Sequence, residues 1–373
     1  MKKFVWPLLI IFFLLGGLVA ILVGKVAFPL EVRSESVQEI SEKWETAGHS
    51  DRDSLSFTLW NNNDPAVIPF YCAKCHSEQG YLDFLGADGS QVNVVDDSAP
   101  VGSVVSCLVC HNSSAHAKDA AIFPSGAEID NLGMTANCIE CHQGRESTLS
   151  VEKAIVNLPE DEINEDLNFI NIHYKVDAAT RYGSDVAPGY QYPGKTYDGF
   201  FPHVKSYQLC TDCHDPHSTS ITPSECASCH PAVTDWSTLR DIRVEGRSDF
   251  DGDGNTTEGI HYEITTLHDL LYSAIQHYAD EVIGQPIVYT YRDPKWVVDT
   301  NANGSADADE INAANSFATW TPRLVKATYN YHYVVATPGG FAHNPNYVIQ
   351  ILVDTIEDLS EVIKIEIPSI TRP

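Results

Sequence analysis

The sequence predicts a mostly α-helical protein with extensive irregular structure. Three features of the 373-residue chain support this fold class. Cysteines recur in a fixed short motif up to residue 230, and the segments between them are rich in Gly, Pro and Asp. The cysteine-free remainder carries two apolar stripes at helical spacing, from Leu267 to Tyr278 and from Val348 to Leu359. It also contains two Asp-rich segments with the donor spacing of ion-binding loops.

The recurring motif is Cys-x-x-Cys-His, and its five copies use all ten cysteines of the chain. In this motif both thiols form thioether bonds with a haem group, and the adjacent His binds the haem iron. The attachment residues are Cys72, Cys75, His76, Cys107, Cys110, His111, Cys138, Cys141, His142, Cys210, Cys213, His214, Cys226, Cys229 and His230. The sequence therefore predicts five haem c groups, which themselves form the core of a multihaem cytochrome c region.

Other uses of paired cysteines fit this pattern less well. Ten cysteines in an exported protein could form five disulfides, but a disulfide framework does not require a His after every second Cys. Zinc and iron–sulfur sites take four ligands, and an odd number of Cys pairs cannot be divided into four-cysteine sites. The pattern therefore favours haem attachment.

The N-terminus predicts export. Two lysines precede an uncharged stretch from Phe4 to Gly24, which is long enough to cross a bilayer as a helix. Because no good small-residue cleavage site ends this stretch, we expect residues 1–24 to be an uncleaved anchor rather than a removed signal peptide. Either alternative places the rest of the chain outside the cytoplasm, anchored and facing the periplasm or cell exterior, or secreted to the cell surface.

We expect three further regions along the exported chain. Residues 25–43 form a polar stalk, and residues 44–235 form the haem-bearing domain. Residues 236–373 form a cysteine-free helical region that packs on the haem domain. In this last region Asn344 and Pro345 predict a helix start, because Asn is a favoured N-cap and Pro is favoured at the first helical position. The tail after Val362 alternates apolar residues, as a short strand would.

The formal net charge of −28 excludes some partners. Nucleic-acid binding requires a basic surface, so we expect none. The acidic surface would attract cationic partners, metal ions included, although it is equally explained by solubility.

The second axial ligand of each iron must come from outside the motifs. Met134 is the only methionine beyond the initiator, so His/Met ligation is excluded for at least four irons. Ten histidines lie outside the motifs, enough for two His ligands at every iron. The predicted distal ligands are His49, His173, His203, His217 and His343, with His116 in reserve.

The positions of these histidines motivate the choice. His217 follows His214 too closely to reach the far face of its own haem, so we expect it to bind a neighbouring haem, with the one on Cys226 and Cys229 as the first candidate. His343 lies just before the predicted C-terminal helix and would tie the cysteine-free region to the haems. His173 lies in the long insertion between the third and fourth motifs.

Two loops predict calcium. The first matches the twelve-residue calcium loop, with oxygen donors at positions 1, 3, 5, 9 and 12 and Gly304 at the turn. Its ligands are Asp299, Asn301, Asn303, Ser305, Asp307 and Glu310. The second loop contains Asp249, Asp251, Asp253 and Asn255. Here Ile260 stands at position 12, so Glu258 or Glu263 must substitute. We expect both ions to be structural, and an ordinary Asp/Asn/Gly turn is the alternative for each loop.

The chain resembles the membrane-associated polyhaem cytochromes c of anaerobic microbes over nearly all of its exported part. The segments that carry the resemblance are Gly48-His49, Cys138-Ile-Glu-Cys141-His142-Gln-Gly144-Arg145, Asn171-Ile-His173-Tyr174, Cys213-His214-Asp-Pro-His217, the loop from Asp249 to Gly254, and Phe341-Ala-His343-Asn344. The resemblance implies electron transfer across or outside the cell envelope, with His ligands at the positions chosen above.

The leading functional prediction is electron transfer between redox partner proteins or extracellular acceptors. A first alternative is a subunit of an extracellular cytochrome filament, in which copies of the chain polymerise. A second is a reductase of small nitrogen or sulfur compounds, because two segments also resemble multihaem nitrite and hydroxylamine enzymes. The chain has no Cys-x-x-Cys-Lys motif, the usual mark of a nitrite-reducing haem, which argues against this enzyme.

Overall fold

The computed structural model describes residues 35–205, 207–243, 248–365 and 369–373. The predicted anchor, residues 1–24, and the first part of the predicted stalk lie outside the described residues. Within the described ranges, no helix combines the length and the apolar character that a membrane crossing requires.

Short helices dominate the N-terminal two thirds, and longer helices dominate the remainder. The helices are α1 (Val37–Glu45), α2 (Leu55–Thr58), α3 (Phe70–His76), α4 (Glu78–Phe84), α5 (Cys107–Cys110), α6 (Ser113–Ala117), α7 (Thr135–His142), α8 (Thr148–Ile155), α9 (Asp177–Tyr182), α10 (Pro223–Cys226), α11 (Trp236–Leu239), α12 (Ile260–Tyr278), α13 (Pro322–Ala336), α14 (Gly340–His343) and α15 (Pro345–Ser360). Single 3₁₀ turns occur at Gly183–Asp185, Cys210–Asp212 and Ala313–Asn315, and a π turn follows α12 at Ala279–Ile283.

The β-structure of the described residues consists of three small antiparallel pairs. Strand β1 (Val67–Ile68) pairs with β2 (Ala99–Pro100), β3 (Ala121–Ile122) with β4 (Glu128–Ile129), and β5 (Ile287–Thr290) with β6 (Lys295–Val298). The alternating tail predicted as a strand is irregular at residues 362–365 and 369–373, and residues 366–368 lie outside the described chain.

Both predicted C-terminal helices are confirmed. The apolar stripe from Leu267 to Tyr278 lies on α12. Helix α15 begins at Pro345, and the Asn344 side chain accepts a hydrogen bond from the Tyr347 N–H at 3.3 Å, as an N-cap does. Helix α1 begins inside the predicted stalk, because Ser36 and Glu39 form a capping box at its start.

The main hydrophobic core crosses the predicted domain boundary at residue 235. Helices α12, α13 and α15 supply most of its buried side chains, among them Tyr331, Tyr333, Leu352 and Ile356. Residues between 121 and 190 contribute much of the remainder, so the insertion between the third and fourth motifs packs against the C-terminal helices. Residues 60–115 form only two small apolar clusters of their own. The cysteine-free helices therefore scaffold part of the motif-bearing chain.

A buried ion-pair network holds this insertion in place. Arg323 on α13 is 5% exposed, and its Nε lies 2.8 Å from the Asp161 carboxylate while its Nη1 contacts Asp358 on α15. Lys326, one turn further along α13, lies 2.8 Å from Glu160. Because removal of one partner would leave buried charge unpaired, this network ties residues 160–161 firmly to the helical scaffold.

We predict that Ile351→Ala destabilises the protein by about 2–5 kcal/mol, because Ile351 is fully buried on α15 and the change leaves a cavity. Thermal melting followed by far-ultraviolet circular dichroism measures the effect. Ile311→Ala is the matched control, since Ile311 is 42% exposed and its loss should change stability by less than about 0.5 kcal/mol. Equal melting temperatures for the two variants would contradict the burial of α15.

Candidate metal centres

Each Cys-x-x-Cys-His motif lies at a short helical turn. Three motifs lie wholly or mostly in α3, α5 and α7, and the fourth and fifth begin in the 3₁₀ turn at Cys210 and at the end of α10. The N–H of the motif His bonds to the carbonyl of the first Cys in the second motif (2.8 Å), the fourth (2.9 Å) and the fifth (2.8 Å). Residues three and four apart share one face of such a turn. Both thiols and the imidazole of a motif therefore point to one side, and all ten thiols are free.

Each motif His faces one of the histidines predicted as distal ligands. The ring centroids are 5.9 Å apart for His76–His173, 6.2 Å for His111–His217, 6.3 Å for His142–His49, 6.3 Å for His214–His343 and 6.2 Å for His230–His203. The structure thus assigns a different partner to every motif His from the five predicted residues.

These separations fit an iron atom between the two rings. A metal–imidazole bond is about 2.0 Å long, and the ring centre lies roughly 1 Å beyond the nitrogen, so two imidazoles on opposite sides of one metal place their centroids about 6 Å apart. The residues present therefore fit haem c held by two thioethers and two imidazoles, although axial ligation stays a prediction.

Two histidines lie at the same distance from His111. His217 is nearly parallel to its ring, with 11° between the planes, and His116 lies 6.2 Å away at 52°. His116 is exposed in α6, five residues after His111, whereas His217 comes from the loop after the fourth motif. We retain His217 as the predicted ligand and His116 as the reserve.

The structure does not place His217 against the fifth motif, where the sequence suggested it first; His203 lies there instead. The reason is the turn at Asp215, whose carboxylate accepts the His217 N–H at 2.9 Å and lies 2.6 Å from Lys43 on α1. Helix α1 packs beside the second motif, since Trp44 donates to the Val105 carbonyl at 3.0 Å. The ion pair therefore draws the loop toward the second motif.

Backbone carbonyls orient two of the motif imidazoles. His76 Nδ1 lies 2.7 Å from the Ser56 carbonyl oxygen, and His214 Nδ1 lies 3.4 Å from that of Thr219. A carbonyl oxygen can only accept, so Nδ1 carries the proton in both rings. The Nε2 lone pair is then free to bind a metal, which is the arrangement found in metal-bound histidines.

His173 is held by an unusual backbone conformation and a side-chain network. Its φ of 73° lies in the left-handed region, and its N–H donates to the Asn171 Oδ1 at 2.7 Å. The same oxygen lies 2.8 Å from Nε2 of His332, whose Nδ1 lies 2.6 Å from the Tyr289 hydroxyl. Non-glycine residues adopt this conformation only where their surroundings require it, so the core positions the His173 ring. These contacts give Asn171 a structural role beside His173 in the Asn171-Ile-His173 segment.

Asp177 contacts the imidazole of His343 and was not identified from the sequence. Its Oδ1 lies 3.2 Å from His343 Nδ1 and accepts the Gly339 N–H and the Thr337 hydroxyl, each at 3.0 Å. Burial alone would raise the pKa of Asp177, but the hydrogen bond and positive charge of His343, with those two donors, hold this pKa below its ordinary value. The sequence offers no signal for this contact, because 166 residues separate the partners.

Burial favours the neutral form of six of the facing imidazoles. It lowers the pKa of His142 to about 4, and it lowers that of His173 to about 4 with a further contribution from the nearby His76. Burial also lowers the pKa of His49, His76, His203 and His214. Neutral imidazole is the form that binds metals, so no proton competes with iron at these rings near pH 7.

The attachment sites form a continuous series. The Cys75 and Cys141 thiols lie close enough to influence each other's pKa, which places the first motif beside the third. Cys138 and Cys210 influence each other in the same way, which places the third motif beside the fourth. Because each thiol would mark the edge of a haem, these contacts would bring three haem edges together in the order first, third, fourth.

The remaining motifs adjoin this series. The Cys213 thiol lies close enough to Cys226 for their charges to interact, which places the fifth motif beside the fourth. The second motif adjoins the third through Cys110 and Cys138. It is also linked to the fourth through His217, which follows the fourth motif and faces His111. No motif is isolated from the others.

The two predicted calcium loops share a backbone arrangement. In the loop from Asp299 to Glu310, the Asp299 Oδ2 accepts the Gly304 N–H at 2.7 Å, and the Glu310 carboxylate accepts the Thr300 N–H at 2.7 Å. In the other loop, Asp249 Oδ2 accepts the Gly254 N–H at 2.8 Å. Calcium at both loops stays a prediction. Among the described residues, carboxylate oxygens converge around Asp251, whereas Asn side chains supply two of the ligands predicted in the Asp299 loop.

Comparison with known proteins identifies two distant relatives. The C-type polyheme cytochrome OmcB of Geobacter sulfurreducens is 25% identical over 354 residues, which cover 77% of this chain and 43% of OmcB. The C-type polyheme cytochrome OmcC of the same organism is 23% identical over 380 residues, covering 83% of this chain and 45% of OmcC. No family model matches the chain, and no solved structure matches it.

The chain spans less than half the length of these relatives. Their similarity supports a multihaem cytochrome family, with haem c as the cofactor and electron transfer as the class of function. The number of haems, the distal ligands and calcium rest on the residues of this chain alone.

We predict that Asp177→Asn raises the reduction potential of one haem, the one between His214 and His343. A carboxylate that accepts the Nδ1 proton makes the imidazole more basic and favours the ferric iron, and Asn removes this charge. A tenfold change in the ferric-to-ferrous preference is about 59 mV, so we expect a shift of tens of millivolts. Spectroelectrochemical titration measures it.

Thr337→Val is the matched control, because it removes another donor to the same carboxylate and keeps the contact between Asp177 and His343. It should shift the potential less than Asp177→Asn does. Identical titration curves for Asp177→Asn and the wild type would show that this carboxylate does not influence the haem.

Proposed function

We propose that this chain carries electrons through five c-type haems, each with two His ligands. The observation that supports the proposal most directly is the set of five facing His pairs with centroids 5.9–6.3 Å apart. Each of the five motif His residues and each of the five predicted distal His residues belongs to one of these pairs. The distant polyhaem cytochrome relatives support the same class of function.

The haem groups supply reversible one-electron chemistry, and the protein residues determine where and at what potential it occurs. The cysteines of each short helical turn would hold one haem by covalent bonds. The paired imidazoles would both bind its iron and would favour a low potential. Carbonyl and carboxylate acceptors at Nδ1 fix the ring orientation, as Ser56 does for His76 and Asp177 does for His343.

Contacts between motifs support a conducting path rather than five separate centres. The thiol contacts of the first, third and fourth motifs bring neighbouring haem edges within a short distance. The fifth motif extends this series, and the second forms a branch through His111 and His217. An electron that enters at one end can therefore leave at another.

Two axial imidazoles leave no position on the iron for a substrate, because an inner-sphere reaction requires an open coordination site. The arrangement therefore supports an electron carrier over a reductase of small nitrogen or sulfur compounds. Redox partner proteins or extracellular acceptors would receive the electrons at exposed haem edges.

The proposed location is outside the cytoplasm. The apolar segment from Phe4 to Gly24 lies outside the described residues and supports export by its sequence alone. Haem c attachment is consistent with export. The formal net charge of −28 favours cationic partners.

We propose that calcium at Asp299–Glu310 is structural. The loop follows β6 and adjoins the scaffold, since the Gln276 side chain on α12 donates to the Gly304 carbonyl at 3.2 Å. An ion here would stabilise the junction between these elements. The loop lies outside the facing His pairs, so we assign it no redox role.

The central test is electron paramagnetic resonance of the oxidised protein combined with its intact mass. Five covalent haems and a wholly low-spin ferric signal are expected, because bis-His iron is six-coordinate. A substantial high-spin signal would contradict the carrier proposal and favour an enzyme with one open iron. A mass excess other than five haem groups would contradict the attachment of haem at all motifs.

A pair of variants tests the ligand at His111. His217→Ala should convert one of the five haems to a high-spin signal, because its ring would lose the partner at 6.2 Å. His116→Ala is the matched control and should leave all five low-spin. The reverse result would assign the ligand role to His116.

A further inference from the structure

The loop that begins at Asp249 gathers acidic side chains around one buried carboxylate. One carboxylate oxygen each from Asp249, Asp251 and Asp253 lie within 4.8 Å of one another. The same holds for Asp251, Glu258 and Glu263, so Asp251 belongs to both groups. We call these five residues the Asp251 cluster. No His or Cys contributes to it.

Unpartnered oxygen atoms distinguish this cluster from an ordinary acidic turn. Asp251 is 1% exposed, and its Oδ2 has no hydrogen-bond partner among the described residues. The Oε1 atom of Glu258 is also shielded from solvent and without such a partner. Burying a carboxylate oxygen without a donor or a cation costs several kcal/mol in stability. A cation bound between these atoms would remove that cost.

Among the residues that the structure describes, one cation contacts this cluster, and it is already engaged. Arg243 Nη1 lies 2.6 Å from Glu263 Oε1 and also donates to the Glu258 carbonyl at 2.8 Å. The other oxygen of Glu263 accepts the N–H groups of Phe250 and Asp251 at 2.8 and 3.0 Å. The charge of Glu263 is thus paired, and its role is to hold the loop. No Lys or Arg of the described ranges forms an ion pair with Asp249, Asp251, Asp253 or Glu258.

The backbone of the loop already has the shape of a calcium loop. The N–H of Asp253 donates to Asp251, and that of Asn255 to Asp253; the same bonds join Asn303 to Asn301 and Ser305 to Asn303 in the other loop. Gly254 and Gly304 adopt φ angles of 90° and 78°, which L residues rarely adopt. The loops differ at the closing carboxylate, because Glu263 follows Asp249 by 14 residues where Glu310 follows Asp299 by 11. A twelve-residue template therefore misses Glu263.

We propose that Asp249, Asp251, Asp253 and Glu258 bind one calcium ion, and that Glu263 and Arg243 position the loop around it. An all-oxygen donor set selects a hard cation over zinc, copper or iron. Calcium accepts about six to eight oxygens in flexible geometry, whereas magnesium demands a strict octahedron, so this irregular cluster suits calcium.

The position of the cluster indicates what the ion stabilises. Arg243 belongs to the segment that follows the fifth motif, and Glu263 lies in the first turn of α12. The Phe250 carbonyl accepts the N–H of Thr371 from the C-terminal tail at 3.0 Å. One ion therefore fastens three separate parts of the chain. The binding is independent of the proposed electron transfer, so either proposal can fail alone.

The experiment uses the full haem-loaded chain, stripped of metal with a chelator and titrated calorimetrically with calcium chloride. A parallel titration uses magnesium chloride. The double variant Asp251→Asn, Glu258→Gln should lose one binding event, with at least a 100-fold drop in affinity, and part of the calcium-induced rise in melting temperature. Asp280→Asn, an exposed acid outside both loops, is the charge-matched control and should bind as the wild type does.

Two safeguards keep the test decisive. The single variant Glu258→Gln removes a carboxylate whose Oε1 makes no hydrogen bond, so it should fold even if the double variant does not. Reduced haem absorbance confirms folding in each protein. The proposal is overturned if the double and single variants bind as many calcium ions as the wild type with unchanged affinity. It is also overturned if the stripped wild type binds no calcium at millimolar concentration, or binds magnesium equally well at this site.

Discussion

The separation between facing imidazoles is the constraint on which the arrangement of this chain depends. A motif His lies at a fixed position relative to its two cysteines. The second imidazole comes from another part of the chain, and its ring centre must lie about 6 Å from that of the motif His. His142 meets His49, which lies far upstream, and His214 meets His343, which lies far downstream. Each pair closes a long loop, and closure of long loops carries a substantial entropic cost. A shared metal would offset that cost at five places.

The cysteine-free helices make this closure possible. They contribute most of the apolar core, and that core extends into the insertion that contains His173. The left-handed conformation at His173 is supported through Asn171 and the buried His332. His343 ends a short helix directly before the start of α15. Two of the five distal histidines are thus presented by protein packing rather than by the motif region itself.

Carboxylate side chains serve three different purposes in this structure. Buried carboxylates are paired in the scaffold, as Asp161 and Asp358 are with Arg323. At the Asp251 cluster the carboxylates outnumber the single guanidinium, and the remaining charge suits an ion from solvent. Asp177 shows a third use, because a carboxylate at an imidazole Nδ1 changes the basicity of the ring. Similar side chains therefore have structural, ion-binding and tuning roles according to what faces them.

The sequence by itself determined the local chemistry. Spacing of three and four residues is sufficient to identify each Cys-x-x-Cys-His turn, and the helices α12 and α15 follow from apolar periodicity and an Asn-Pro start, because these patterns depend on neighbours within one or two turns. The five histidines that face the motif imidazoles could be named from their context, but the partner of each could not. His217 meets His111 because Asp215 pairs with Lys43, and the contact of Asp177 with His343 joins residues 166 apart. Likewise, the sequence left Glu258 and Glu263 open as the closing carboxylate of the second loop, and the structure brings both of them close to Asp251. Such contacts are decided by how separate elements pack, and no periodicity along the chain records that packing.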